Sequence, residues 1–215
     1  MQTMHPTESL RDRKRREARR ATQRVSIELC LEHGVDAVTV EMICDRAGIS
    51  PRTFYNYFGS RDAAVLGGEK PQPSEEQIVD FIARDGVSDV EAFAGLMAQV
   101  WVEAEPDREL FRLRRQLLDA SPELSGLNWA RINEARAEYA AIVRRRLLAR
   151  DPQASPEAID TDAALVVALG MGALQVMARG WASDDSSADL ESLIYDFFPR
   201  VRRLTQPAHA TTPTA

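Results

Sequence analysis

The sequence predicts an all-α protein in two parts, a small N-terminal head and a larger helical body. Three observations carry this. Good helix formers (Ala, Leu, Glu and Arg) recur along the whole chain. No segment sustains the period-two alternation of a half-buried strand, and no Asn-Gly hairpin signal occurs. A single dense cluster of breakers, Gly67, Gly68, Pro71, Pro73 and Ser74, marks the domain boundary.

Thr7 to His33 reads as one long helix, charged in its first half and apolar in its second, with Gly34 set to end it. Thr39 to Ala47 is a short helix with Thr39 as N-cap and Glu41 in its first turn. Gly48-Ile49-Ser50 is a turn. Pro51 to Phe58 follows, with Ser50 as N-cap and Pro51 at the first helical position. Ser60 caps a fourth helix, and the head spans residues 7–67. The body, 75–205, resumes as helices near Glu75–Arg84, Asp89–Ala104, Asp107–Ala120, Pro122–Ala149, Pro156–Ala182 and Ala188–Leu204. Residues 206–215, rich in Thr, Pro and Ala, read as a disordered tail.

The chain has 215 residues, 44% of them hydrophobic and 28% charged, as expected of a globular protein with a sizeable core. The net charge of −6 speaks against a nucleic-acid partner only while its distribution is ignored. Residues 1–67 hold eleven basic against nine acidic side chains, and the remainder sixteen against twenty-four. Arg11, Arg13, Lys14, Arg15, Arg16, Arg19, Arg20 and Arg24 fall within fourteen residues. A basic end on an acidic body fits a polyanion met on one face. This run is either a solvated helix face or an arm lying along phosphates.

Cys30 and Cys44 form no CxxC pair, and His5, His33 and His209 are scattered, so no metal site is expected. Both cysteines read as small apolar fillers. No apolar run follows the N-terminal charges, so a secretory leader is not expected, and a cytoplasmic location is. The apolar run Ala163–Leu174 is shorter than the ~20 residues of a membrane span and reads as a buried helix.

The informative segment is Thr39 to Asp62. Two short helices joined by a tight turn at Gly48 form a helix-turn-helix, whose second helix enters the major groove. Ile43, Ala47, Ile49, Phe54 and Phe58 have the spacing to pack the pair together. Arg52, Tyr55 and Asn56 then share the opposite face. Arg can bond guanine and Asn adenine in a bidentate way, while Tyr hydroxyls commonly hold phosphates. Arg61, opening the next helix, is placed to meet a phosphate.

These residues resemble the signature of TetR-family regulators. The resemblance is carried by Thr39, Ala47-Gly48-Ile49-Ser50, Thr53-Phe54-Tyr55, Tyr57-Phe58 and Ser60-Arg61-Asp62. It implies a helix-turn-helix DNA-binding domain in a homodimeric transcriptional regulator, typically a repressor of a palindromic operator. By that resemblance Thr39, Tyr57 and Arg61 would hold phosphates, Arg52, Tyr55 and Asn56 would read bases or adjacent backbone, and Thr53 would belong to the same DNA-binding set. Two positions depart from the family's usual pattern. Arg61 stands where Lys is usual and keeps the charge. Ala64 stands where a larger aliphatic residue is usual, which would loosen the fourth helix.

The body shows no phosphate loop, nucleophile elbow or metal box, so no enzyme activity and no cofactor are expected. An effector pocket between helices would draw on Phe93, Met97, Trp101, Phe111, Arg115, Leu118, Trp129, Tyr139 and Met171, although each alone reads first as core. The segment Phe111–Leu124, the ALGMGAL stretch and Trp181 resemble a TetR subgroup with acyl-CoA-like ligands. That implies a long apolar effector whose anionic head meets Arg112, Arg114 or Arg115, unless these pair with nearby carboxylates. Small residues such as Ala168 and Gly172, and the stripe Leu190, Ile194, Phe197 and Val201, read as a dimer interface. The rival readings are an effector-independent regulator or activator sharing the same head and, remotely, a helical enzyme.

Overall fold

The computed structural model describes residues 9–67, 72–104, 107–183 and 197–203. Among them the chain is helical throughout: α1 Leu10–His33, a 3-10 turn Val35–Ala37, α2 Val40–Ala47, α3 Pro51–Phe58, α4 Arg61–Leu66, α5 Glu75–Ala83, α6 Asp89–Ala104, α7 Arg108–Ala120, α8 Pro122–Arg150 and α9 Pro156–Ser183. Residues 197–203 are also helical. The starts follow side-chain chemistry. Ser9, Thr39, Ser50, Ser60, Ser74 and Asp107 each accept a backbone N–H two or three positions into a helix, satisfying donors that the helix itself leaves orphaned. Ser74 and Gln77 complete a reciprocal capping box.

The chain divides into two compact units. The first takes in residues 1–70 and 107–134, so α7 and the start of α8 accompany α1–α4, whereas the sequence pattern places them in the body. The cause is apolar burial. Leu110, Leu117 and Leu118 of α7 and Leu124 of α8 belong to the same buried cluster as Ile27, Ile43, Phe54, Phe58 and Val65. Polar ties accompany it. Arg24 of α1 meets Asp107, the N-cap of α7, at 2.6 Å, and Arg114 Nε donates to the Val65 carbonyl at 3.0 Å. Burial works against the Asp107 carboxylate, yet the Leu110 N–H and the Arg24 guanidinium outweigh it and hold its pKa below the usual carboxylate range. Ala64 is fully buried beside Val65 and Leu66, so the short side chain leaves α4 enclosed rather than loose.

The second unit comprises residues 71–106 and 135–215, with α6 and α9 as its central pair. Gly170 lets them approach closely: a Cβ there would lie 2.6 Å from Phe93 Cδ1. Arg146 of α8 is wholly buried, its guanidinium 5.1 Å from the centre of the Phe81 ring. It donates to Asp89 at 2.7 Å and to the Phe81 carbonyl. The acceptors at the end of α5 and start of α6 thus offset the desolvation of a buried cation. Glu91 is likewise engaged by Arg202 at 2.8 Å.

Helix α9 is long and apolar enough to cross a membrane by length and composition, which the shorter run read from the sequence does not suggest. One face is core: Ile159, Ala163, Val167, Gly170, Met171, Leu174 and Met177 are buried. The other is open. Leu165, Leu169 and Val176 are 53%, 60% and 57% exposed, with Ala168 and Gly172 exposed between them.

Candidate nucleic-acid interface

The reading face is built by α2, its turn and α3. Gly48 adopts the left-handed conformation (φ 65°, ψ 35°), where a Cβ is disfavoured, and this folds α3 back on α2. The Ile49 N–H donates to the Cys44 carbonyl at 3.1 Å to close the turn. Ser50 Oγ accepts the Thr53 N–H at 3.1 Å and lies 2.9 Å from the Thr53 hydroxyl, so the start of α3 is doubly fixed. Phe54 and Phe58 point inward, with ring centres 5.4 Å apart, and anchor α3 through its apolar face.

That anchoring turns the other face outward. Arg52, Tyr55 and Asn56 are exposed, and neither the Arg52 guanidinium nor the Asn56 amide has a hydrogen-bond or ionic partner among the described residues. Tyr55 is 52% exposed, its ring edge-on to Phe54 at 5.7 Å. Thr53 and Tyr57 lie half-buried at the margins, and Tyr57 stacks edge-on against Phe58 at 6.0 Å. Thr39 is exposed, and its hydroxyl oxygen accepts the Met42 N–H at 3.3 Å, which leaves the O–H proton to donate outward. Free donors on an outward face of a fixed helix suit the acceptor-rich edge of a duplex.

Arg61 behaves otherwise. Its Nη1 donates to the Val35 and Val38 carbonyls at 2.9 and 3.2 Å, and its Nε to Asp62 at 3.0 Å. The side chain straps α4 to the 3-10 turn, and a phosphate would have to compete with these acceptors. Arg46, not singled out in the sequence, is bidentate to Glu32 at 2.7 and 3.0 Å and ties α2 to α1. A charged pair across two helices leaves no periodic signal.

The residues considered for an effector pocket are divided between the two units. Phe93, Met97, Tyr139 and Met171 are buried in the second unit with Trp101 half-buried, and Phe93 and Tyr139 have ring centres 6.1 Å apart. Phe111, Arg115, Leu118 and Trp129 belong to the first unit, where Trp129 is 46% exposed. Arg112 is paired with Glu109 and Arg115 with Asp119, both at 2.7 Å along α7. These arginines therefore follow the alternative of local pairing. Of the dimer stripe, Leu190 and Ile194 lie outside the described residues, while Phe197 and Val201 are half-buried. Cys30 and Cys44 are buried free thiols, and no metal-binding group of His, Cys, Asp and Glu occurs among the described residues.

Residues 24–66 match the family described as bacterial regulatory proteins, tetR family. A curated relative, the HTH-type transcriptional regulator TcmR of Streptomyces glaucescens, is 39% identical over 57 residues, or 26% of this chain. The match spans only 25% of that relative's length. A solved transcriptional regulator from Aquifex aeolicus VF5 aligns over 87% of this chain and 99% of its own, at 16% identity and TM-score 0.47. FadR of Thermus thermophilus, a transcriptional repressor solved with lauroyl-CoA, aligns over 92% of this chain and 100% of its own, at 17% identity and TM-score 0.43. These two likenesses are loose and say nothing of a ligand here. The helix-turn-helix match lies on the capped, outward-facing α2–α3 pair, and over residues 24–66 the chain is similar to the tetR family of bacterial regulatory proteins.

Proposed function

We propose that the chain is a cytoplasmic, dimeric transcriptional repressor that reads a palindromic operator and is released by a small apolar effector. The observation that carries this is α3: a helix locked inward by Phe54 and Phe58 that holds Arg52, Tyr55 and Asn56 outward, two of them with unengaged donors. Arg52, Thr53, Tyr55 and Asn56 contact bases or adjacent backbone, and Thr39 and Tyr57 hold phosphates. Arg61 positions α4 from within and meets a phosphate only in exchange for a carbonyl.

The dimer is supported by the open face of α9. A helix apolar all round belongs in an interior, and the exposed Leu165, Leu169 and Val176 would reach one against a second copy. Two heads then meet successive major grooves ~34–36 Å apart. The effector is the least constrained part. Its contacts are Phe93, Met97, Trp101, Tyr139 and Met171 of the second unit, where methionines can repack around an apolar guest. Its class is acyl-CoA-like, and its bound state disfavours the head spacing that fits the operator.

The test is duplex selection from a random pool with the full chain, followed by titration with and without long-chain acyl-CoAs. An enriched palindrome released by an acyl-CoA supports the whole proposal. A palindrome that no acyl-CoA releases removes the effector class and keeps the operator. No enrichment at all overturns the DNA-reading function.

A further inference from the structure

The first two turns of α1 are a feature that the helix-turn-helix does not account for. The family match begins at residue 24, whereas α1 begins at Leu10. Ser9 caps the helix by accepting the Asp12 N–H at 3.2 Å, so the basic run is ordered helix. Residues 11–17 are exposed without interruption. Between positions 11 and 20 stand seven basic side chains and two acidic ones. Cations in a first turn oppose the helix dipole, so Arg11, Arg13 and Lys14 are held there against local stability. A charge kept at a local cost points to a use elsewhere.

The acids sort the cations. Asp12 is bonded by the Ser9 hydroxyl at 2.7 Å, and Glu17 pairs with Arg13 at 3.7 Å. Arg11, Arg15 and Arg19 recur every four residues and so share one side of the helix, over ~12 Å. The position of that side is fixed by Arg19. Its Nε donates to the Tyr57 carbonyl at 3.3 Å, and its guanidinium lies 5.3 Å from the centre of the Phe58 ring. The row therefore starts beside the C-terminal end of α3 and runs outward from it along α1.

We propose that the Arg11–Arg15 face of α1 is a second DNA contact, binding backbone phosphates that flank the site read by α3. It adds affinity without sequence preference, because phosphates carry no base information. The inference rests on the proposed function, and its test separates the two.

The test uses the full chain and an R11A/R15A variant. Both positions are exposed, and Ala is the strongest helix former, so the fold is retained. On a selected duplex with flanks, log K against log salt becomes shallower by about 1.8 per bound head, at about 0.9 for each phosphate that the variant leaves unneutralised. R11K/R15K keeps most of the slope, and Arg13→Ala, on the opposite side and already paired with Glu17, changes it less. Trimming the duplex flanks lowers wild-type affinity to that of R11A/R15A and leaves the variant unaffected. An unchanged slope in R11A/R15A overturns the inference, as does a loss of equal size on the trimmed duplex. If no palindrome is selected at all, the proposed function fails, but the salt slope on unselected duplex still decides whether this face holds phosphates. A slope that changes only with anionic vesicles, and not with duplex, would also overturn it.

Discussion

Single side chains divide here into those that face out with nothing to bind and those whose charge is already used. Arg52 is of the first kind and Arg61 of the second. Under the proposed function, Arg52→Ala weakens the selected duplex about 5–150-fold, the range for one bidentate base contact of about 1–3 kcal/mol, and leaves unselected duplex nearly untouched. Arg61→Ala instead lowers unfolding stability, because the Val35 and Val38 carbonyls lose their donor. Competition binding and urea unfolding, run on both variants, tell the two roles apart. The free thiols give a pH prediction. Burial pushes Cys30 and Cys44 above the usual thiol range, Arg61 opposing it at Cys30. Above about pH 8.5 the unfolded chain then loses protons that the folded chain keeps, so stability is full below that pH and falls as pH rises past it. Unfolding midpoints measured from pH 7 to 10 should decline, and less so in C30A/C44A. An identical decline in both proteins would show that other groups set the alkaline limit.

At the scale of elements, helix starts are the most legible feature, because a cap is a local event written in one or two residues. Thr39, Ser50 and Ser60 cap the helices that the sequence places after them. The inward face of α3 is legible from the spacing of Phe54 and Phe58. What α7 packs against is not. Its leucines satisfy either unit equally on paper, and only the tertiary arrangement assigns them to the core beneath α1 and α4. Arg146 shows a signal that is present and easily passed over. In the Arg144–Arg146 run it looks solvated, yet it continues the buried spacing Ala135, Tyr139, Val143 along α8. The α6–α9 contact yields a direct test. Gly170→Ala puts a methyl 2.6 Å from the Phe93 ring, itself fully buried, and overpacking of this sort costs about 1–3 kcal/mol. The urea midpoint should fall, and pairing the change with Phe93→Leu should restore part of the loss. An undiminished midpoint for Gly170→Ala would mean that α6 and α9 yield more easily than their packing implies.

For the whole molecule, the decisive question is what covers the open face of α9. Gly172 sits on that face, and nothing lies within 4 Å of where its Cβ would be. Within one chain, Gly172→Ala therefore adds a helix-favouring residue in open space and stabilises α9 by about 1 kcal/mol. In a dimer that packs α9 against a second copy, the same methyl separates two helices that small residues had allowed to approach. The two contributions have opposite signs and different concentration dependence. Dissociation of a dimer is concentration-linked, while the gain in helix propensity is not. Sedimentation equilibrium over a range of protein concentrations should show Gly172→Ala shifted toward monomer, with Leu169→Arg shifted further, since it buries a charge in an apolar seam. Thermal unfolding of Gly172→Ala at high dilution, where monomer prevails, should be no easier than wild type. A repressor that needs two heads at one spacing would then lose operator affinity in proportion to the fall in dimer, although α3 is untouched. If both variants remain as associated as wild type, the seam lies elsewhere, and the exposed leucines of α9 need another partner.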